Sequence, residues 1–180
     1  MSNVSKSIKE GVVAGLVAGT LFAIAQVVSV MAAGELPMLA FRRSASVLLG
    51  PAALTATPTA SAIAIALIAH LYLSAIYGLC YGIYNSALSG LSRRSAPRQT
   101  IIGPLYGAVL WLVNFQVFAR ALYPWLLVLP QPAQLVLHAV GFGLPLGLLY
   151  ATAEHRAQPT APAALPVAIA QRPRRRRRAP

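Results

Sequence analysis

Residues 11–33 read GVVAGLVAGTLFAIAQVVSVMAA, an uncharged run with a glycine at every fourth position at its start: Gly11, Gly15 and Gly19. About 20 such residues cross a hydrocarbon core of ~30 Å as a helix. Three further apolar runs of that length follow at residues 61–88, 101–123 and 133–153, with Arg120 near the end of the middle one. Backbone exposed to lipid must satisfy its own hydrogen bonds, and no ten-residue alternating pattern points to a barrel. The fold class expected is therefore all-α: a polytopic membrane bundle of four transmembrane helices.

Composition agrees, with 57% hydrophobic residues, 10% charged and a mean hydropathy of +0.65. These values lie outside the soluble norm. The first run follows Lys6 and Lys9, as a signal peptide would, but a signal h-region is about 7 to 15 residues long. A retained helix is expected.

Lys6 and Lys9 precede the first run, Arg93, Arg94 and Arg98 lie between the second and third, and Arg156 follows the fourth; the opposite side has Arg42, Arg43 and Arg120. Six against three predicts both termini in the cytoplasm, in a cell inner membrane. Tyr123 and Trp125 then fall at the outer interface, where amphipathic rings gather. The organisation expected is a cytoplasmic N-terminus (1–10), a membrane domain (11–153) and a disordered Pro/Ala/Arg-rich cytoplasmic tail (154–180).

Half of the net charge of +12 comes from Arg172 and Arg174, Arg175, Arg176, Arg177 and Arg178. Arginines in such a tail hold anionic lipid head groups, so lipid is expected as the tail's partner ahead of nucleic acid. Between the first two runs, Pro37 can open a short helix with Met38, Phe41, Ala45, Leu48 and Leu49 on one face. A helix on the membrane surface and an ordered loop covering the bundle both fit. Thr57 and Pro58 are expected to cap and open the second long helix, and Gly90 to end the segment.

Small residues recur four apart in every long helix: Gly11, Gly15, Gly19; Ser74, Gly78, Gly82, Ser86; Gly103, Gly107; Ala139, Gly143, Gly147, Ala151. Removing side-chain bulk lets backbones approach in lipid, so close helix packing is expected, within the chain or against other membrane subunits or copies of itself. A repeat is also visible. Gly15-x3-Gly19-x6-Gln26 matches Gly103-x3-Gly107-x6-Asn114, and His70 and His138 each precede a four-spaced glycine pair. Two tandem hairpins related by an axis along the membrane normal follow, and at 1.5 Å per residue Gln26, His70, Asn114 and His138 fall in one outer-half layer.

That layer is the candidate site. Polar residues at membrane depth usually face the bundle interior, where they either hydrogen-bond between helices or line a ligand or ion pathway. Two imidazoles can also ligate haem or a metal. His70, Ser74, Tyr77, Tyr81 and Tyr84 share a face opposite Leu73, Ile76, Leu79 and Ile83, so Tyr77 and Tyr81 extend the candidate pathway while the apolar face is assigned to lipid.

Catalysis has little material. The acids are Glu10, Glu35 and Glu154, all near the ends of apolar runs, and no hydrolase elbow, zinc-protease helix or phosphate loop occurs. Cys80 is alone, which excludes an intrachain disulfide. The function expected is non-catalytic: an accessory or packing subunit, with a small channel or carrier as alternative and a bis-histidine haem protein behind both.

The glycine-spaced first run, Glu35-Leu36-Pro37, His70 and the closing HAVGFGLPLGLLYA of residues 138–151 resemble small bacterial inner-membrane proteins of uncharacterised four-helix families. The likeness covers about residues 11–152, with Pro145 as a departure that can kink the last helix. The resemblance implies the architecture and no activity.

Overall fold

A computed structural model describes residues 3–156; the arginine tail and the disorder expected of it lie outside that range. Four helices are long and apolar enough to cross a membrane: α1 (Asn3–Ala32), α3 (Thr59–Ser86), α5 (Ala96–Leu122) and α6 (Gln131–Arg156). Two shorter ones, α2 (Met38–Leu49) and α4 (Gly90–Arg94), lie in the connections. No strand occurs among the described residues.

The glycines decide which helices pair. Gly11 and Gly15 of α1 meet Gly82 and Gly78 of α3 so closely that a Cβ on Gly15 would stand 2.7 Å from the Gly78 Cα. Gly103 and Gly107 of α5 meet Gly143, Gly147 and Ala139 of α6 in the same way; a Cβ on Gly107 would stand 2.8 Å from the Ala139 Cα. Backbone-to-backbone seams thus join α1 to α3 and α5 to α6, and α6 also packs on α1. No comparable seam joins α3 to α5, which are linked by side chains.

The outside of the bundle is as apolar as its inside. On α1, Val13, Val17, Leu21, Ile24 and Val28 are all exposed, on the face away from Gly11, Gly15 and Gly19. Small residues within and large aliphatic ones without is the arrangement that suits a lipid solvent. The central core is Ala14, Ala18, Phe22, Tyr81, Leu110, Phe142, Leu146 and Tyr150.

At one end of the bundle α1 stops at Gly34, whose φ of 78° reverses the chain while the Glu35 N–H returns to the Val30 carbonyl at 3.1 Å. Here α2 packs Met38, Phe41 and Ala45 onto Ala53, Ala62, Ile65 and Ala66, whereas Leu48 and Leu49 are exposed. The face expected to carry all five apolar residues is therefore divided, with its last turn turned outward. The 3₁₀ turn Pro124–Val128 is tied to α2 by Trp125, whose Nε1 donates to Ser46 Oγ at 3.0 Å. We call this the α2 end, and the opposite one the termini end.

Two boundaries depart from expectation. The start of α3 has no side-chain cap, because its N-cap position is held by Pro58, which has no side-chain oxygen; the Thr57 carbonyl, one residue outside, accepts from Arg42 at 3.0 Å. Gly90 does not end a helix; it opens α4, capped by Ser89 Oγ accepting from the Ser92 N–H. At an N-cap, proline offers no side-chain acceptor to the orphan N–H groups of the first turn, whereas the serine hydroxyl does.

Both later long helices contain π-helical stretches, Leu112–Ala119 in α5 and Leu137–Gly143 in α6. The second lies just before Pro145, which cannot donate to the Gly141 carbonyl and crowds the preceding turn. Wider turns of this kind gather at functional sites.

Candidate functional site

Asn114 lies in the first π stretch and His138 in the second. Together with Gln26 and His70 they border one cavity of about 310 Å³ at the α2 end of the bundle. Each of the four long helices contributes one of these polar side chains.

Local packing fixes each group. His70 Nε2 donates to the Gly19 carbonyl at 2.7 Å, which requires α1 and α3 to be in close contact there. Gly19 permits it, since a Cβ at that position would stand 2.5 Å from the Ser74 Cβ. His138 Nδ1 donates to the Gln134 carbonyl at 2.7 Å. In the neutral rings these bonds leave lone pairs on His70 Nδ1 and His138 Nε2. The Tyr77 hydroxyl donates to Asn114 Oδ1 at 2.6 Å, and Tyr106 donates to the Tyr77 carbonyl at 2.8 Å.

The imidazoles do not touch. Phe22 stands between them, stacked on His70 with ring centroids 5.7 Å apart and edge-on to His138 at 4.9 Å. No group of three or more His, Cys, Asp or Glu suited to a metal occurs among the described residues.

The rest of the wall is apolar and aromatic, including Leu73, Leu110, Phe115, Phe118 and Phe142. Leu73 thus faces the cavity, contrary to its assignment to lipid. Tyr84 also departs from the face expected of it, being 48% exposed. Arg43 and Ser44 from α2 and Tyr123, Leu126 and Leu129 from the connection between α5 and α6 form the remaining wall. Arg120 is held by Gln116 Oε1 at 2.8 Å and takes no part.

Tyr81 belongs elsewhere. It is fully buried below the cavity and donates to Gln99 Oε1. Gln99 Nε2 in turn donates to Asn85 Oδ1 at 2.8 Å. Nearer the termini end, Ser7 pairs with the Tyr150 hydroxyl, and Arg93 Nε lies 3.5 Å from Glu154 Oε2. The Glu10 carboxyl meets that of Glu154 and lies 3.9 Å from Lys6 Nζ.

Two basic and two acidic side chains therefore gather at this end, where the sequence offered acids only singly. Composition concealed the pairing because Glu10 and Glu154 sit on the first and last helices. Their common depth, the argument that grouped the histidines, was the available signal. Together with Leu146, these buried side chains close the bundle beneath the cavity.

The chain matches no family model, no curated protein and no solved structure. The site must therefore be read from its own chemistry. It has an apolar body open on one side, a few convergent polar atoms and a closed floor, which are the features of a small-molecule pocket between helices. None of the cavity's polar groups forms a nucleophile–base pair.

Proposed function

We propose that this chain is a non-catalytic multi-pass membrane protein of the inner membrane that binds, and passes on, one small apolar molecule bearing a polar group. The observation that carries the reading is the convergence of Gln26, His70, Asn114 and His138, one from each long helix, on one cavity. Polar residues at membrane depth are costly unless paired or used, and Gln26 has no hydrogen-bond partner among the described residues. The floor formed by Tyr81, Leu146 and Tyr150 favours a binder or carrier over an open channel. The six-to-three charge count supports a cytoplasmic side for both termini.

The accessory-subunit reading draws support from the exposed apolar faces, which a partner's helices can cover. Its other support, the small-residue stripes, is occupied within the bundle, where Gly11, Gly15, Gly19, Gly78, Gly82, Gly103, Gly107, Gly143 and Gly147 all face neighbouring helices of the same chain. Haem is the weaker alternative, since Phe22 separates the two imidazoles.

The test is saturable binding of a pyrene-labelled long-chain alcohol to the purified chain in phosphatidylcholine nanodiscs. One probe per chain is expected. Leu73→Trp, which fills the cavity, should abolish the saturable component, and Val109→Trp on the exposed face of α5 should leave it intact. Absence of saturable binding to the parent chain would overturn the reading. An absorbance spectrum of the same sample is expected to lack a Soret band; a band lost in both His70→Ala and His138→Ala would replace the proposal with bis-histidine haem.

Orientation is tested separately. A fluorescent reporter that matures only in the cytoplasm should be bright when fused to the C-terminus, and a periplasmic reporter at the same place should be inactive. The reverse pattern would place the α2 end on the cytoplasmic side.

A further inference from the structure

The two arginines of α2 are adjacent in sequence and differ in what they do. Arg42 is committed to the fold, with its guanidinium donating to the carbonyls of Ala53 and Thr57 at 3.0 Å each. Arg43 borders the cavity beside Ser44, and its guanidinium has no hydrogen bond or ion pair among the described residues. The described ion pairs involving carboxylates engage Glu10 and Glu154 at the termini end, at the far side of the buried Tyr81 and Tyr150. A guanidinium presents a planar fork of donors that suits carboxylate and phosphate oxygens. Here one such fork is left open at the rim of an apolar pocket.

Resting on the reading of the cavity as a binding site, we propose that its occupant is a single-chain amphiphile with a carboxylate head, a long-chain fatty acid, seated with its head on Arg43 and its chain against the aromatic wall. Charge selects the head: one guanidinium balances one negative charge, and no second cation borders the cavity to balance a phosphomonoester. Size selects the chain, because about 310 Å³ lies at the small end of the range for ligand pockets and admits one hydrocarbon chain more readily than a two-chain lipid.

The fold also provides an entrance. Between α3 and α5 there is no backbone seam; the helices are bridged by Tyr77 on Asn114, Tyr106 on the Tyr77 carbonyl and Tyr81 on Gln99. The cavity lies against this junction, on the α2 side of Tyr81, with Leu73 and Tyr77 of α3 facing Leu110, Asn114 and Phe118 of α5. An acyl chain longer than the cavity can leave between those helices into the bilayer while the head stays at the level of α2. Arg43 then serves one bound molecule, where a side chain that only snorkels serves whatever head group is nearest.

The experiment compares pyrene-labelled palmitic acid with its matched alcohol in phosphatidylcholine nanodiscs at pH 8, using the full chain. The acid is expected to bind about tenfold more tightly than the alcohol, the span of one charge-assisted hydrogen bond. Arg43→Gln should remove that preference, so that acid and alcohol bind this variant equally, and Arg43→Lys should keep a reduced preference. Equal binding of acid and alcohol to the parent chain would overturn the carboxylate assignment while leaving the cavity reading intact; failure of both probes would sink the cavity reading itself. A ratio of acid to alcohol affinity that survives Arg43→Gln would also overturn the proposal. Tighter binding of the matched alkyl phosphomonoester than of the acid would assign the head to phosphate instead.

Discussion

Gly15→Leu should destabilise the bundle by about 3 kcal/mol or more, as overpacking does when no rotamer relieves it. Any Cβ at Gly15 faces the Gly78 backbone at 2.7 Å, and backbone cannot swing aside as a side-chain end can. The seam between α1 and α3 must open, and His70 then loses the Gly19 carbonyl that holds its ring. Val17→Leu, on the exposed face of the same helix, should change stability by under about 0.5 kcal/mol. Unfolding in mixed detergent–SDS micelles, followed by circular dichroism, measures both; equal stability of Gly15→Leu and the parent would contradict the assigned seam.

A second large effect belongs to the ion pair at the termini end. Glu154 is 2% exposed and the Arg93 side chain 11%, so removing either partner leaves a charge nearly excluded from water. Arg93→Leu alone should cost about 3–5 kcal/mol, whereas Arg93→Leu with Glu154→Leu should recover most of that loss, because a buried pair and its apolar replacement are often close in stability. Glu10 and Lys6 stand beside the pair and will absorb part of the change. The same unfolding assay reads the cycle. A double variant that is worse than the sum of the singles would mean that Arg93 and Glu154 act through other neighbours.

How much of this was legible in the sequence depends on the range of the force involved. The four long helices were legible because span length is set by the bilayer, and a predominantly apolar run of about 20 residues has few other uses. The glycine spacing identified the packing faces of α1, α3, α5 and α6, since a four-residue period keeps one face of a helix free of side chains. The sequence did not say which stripe meets which, and a second molecule would have fitted them equally well.

The polar layer was legible by depth alone. Counting residues from the helix ends grouped Gln26, His70, Asn114 and His138, and all four border one cavity. Depth says nothing of what stands between groups on the same level, so the intervening Phe22 was invisible. Helix boundaries at Thr57 and Gly90 were misread for a local reason: a proline and a glycine each have two common uses at a helix end, and the neighbouring Arg42 and Ser89 decided between them. The π stretch at Leu112–Ala119 has no proline within it or just after it, so no residue type announced it.

Arg43 illustrates the harder limit. In the sequence it was one of three positive charges counted to set orientation, indistinguishable from Arg42 beside it. Only the fold separates them, by giving one two carbonyls and the other the edge of a cavity.

The most direct test of the cavity as the functional site is photolabelling with a long-chain alcohol carrying a diazirine, irradiated in native membranes that contain the chain and followed by peptide mapping. The account predicts saturable labelling concentrated on Phe22, Leu73 and Phe118, competed by unlabelled alcohol and lost in Leu73→Trp. Labelling confined to the outward-facing Val13, Val109 and Val140, with no competition, would show that the molecule meets lipid only on its surface and would contradict the account.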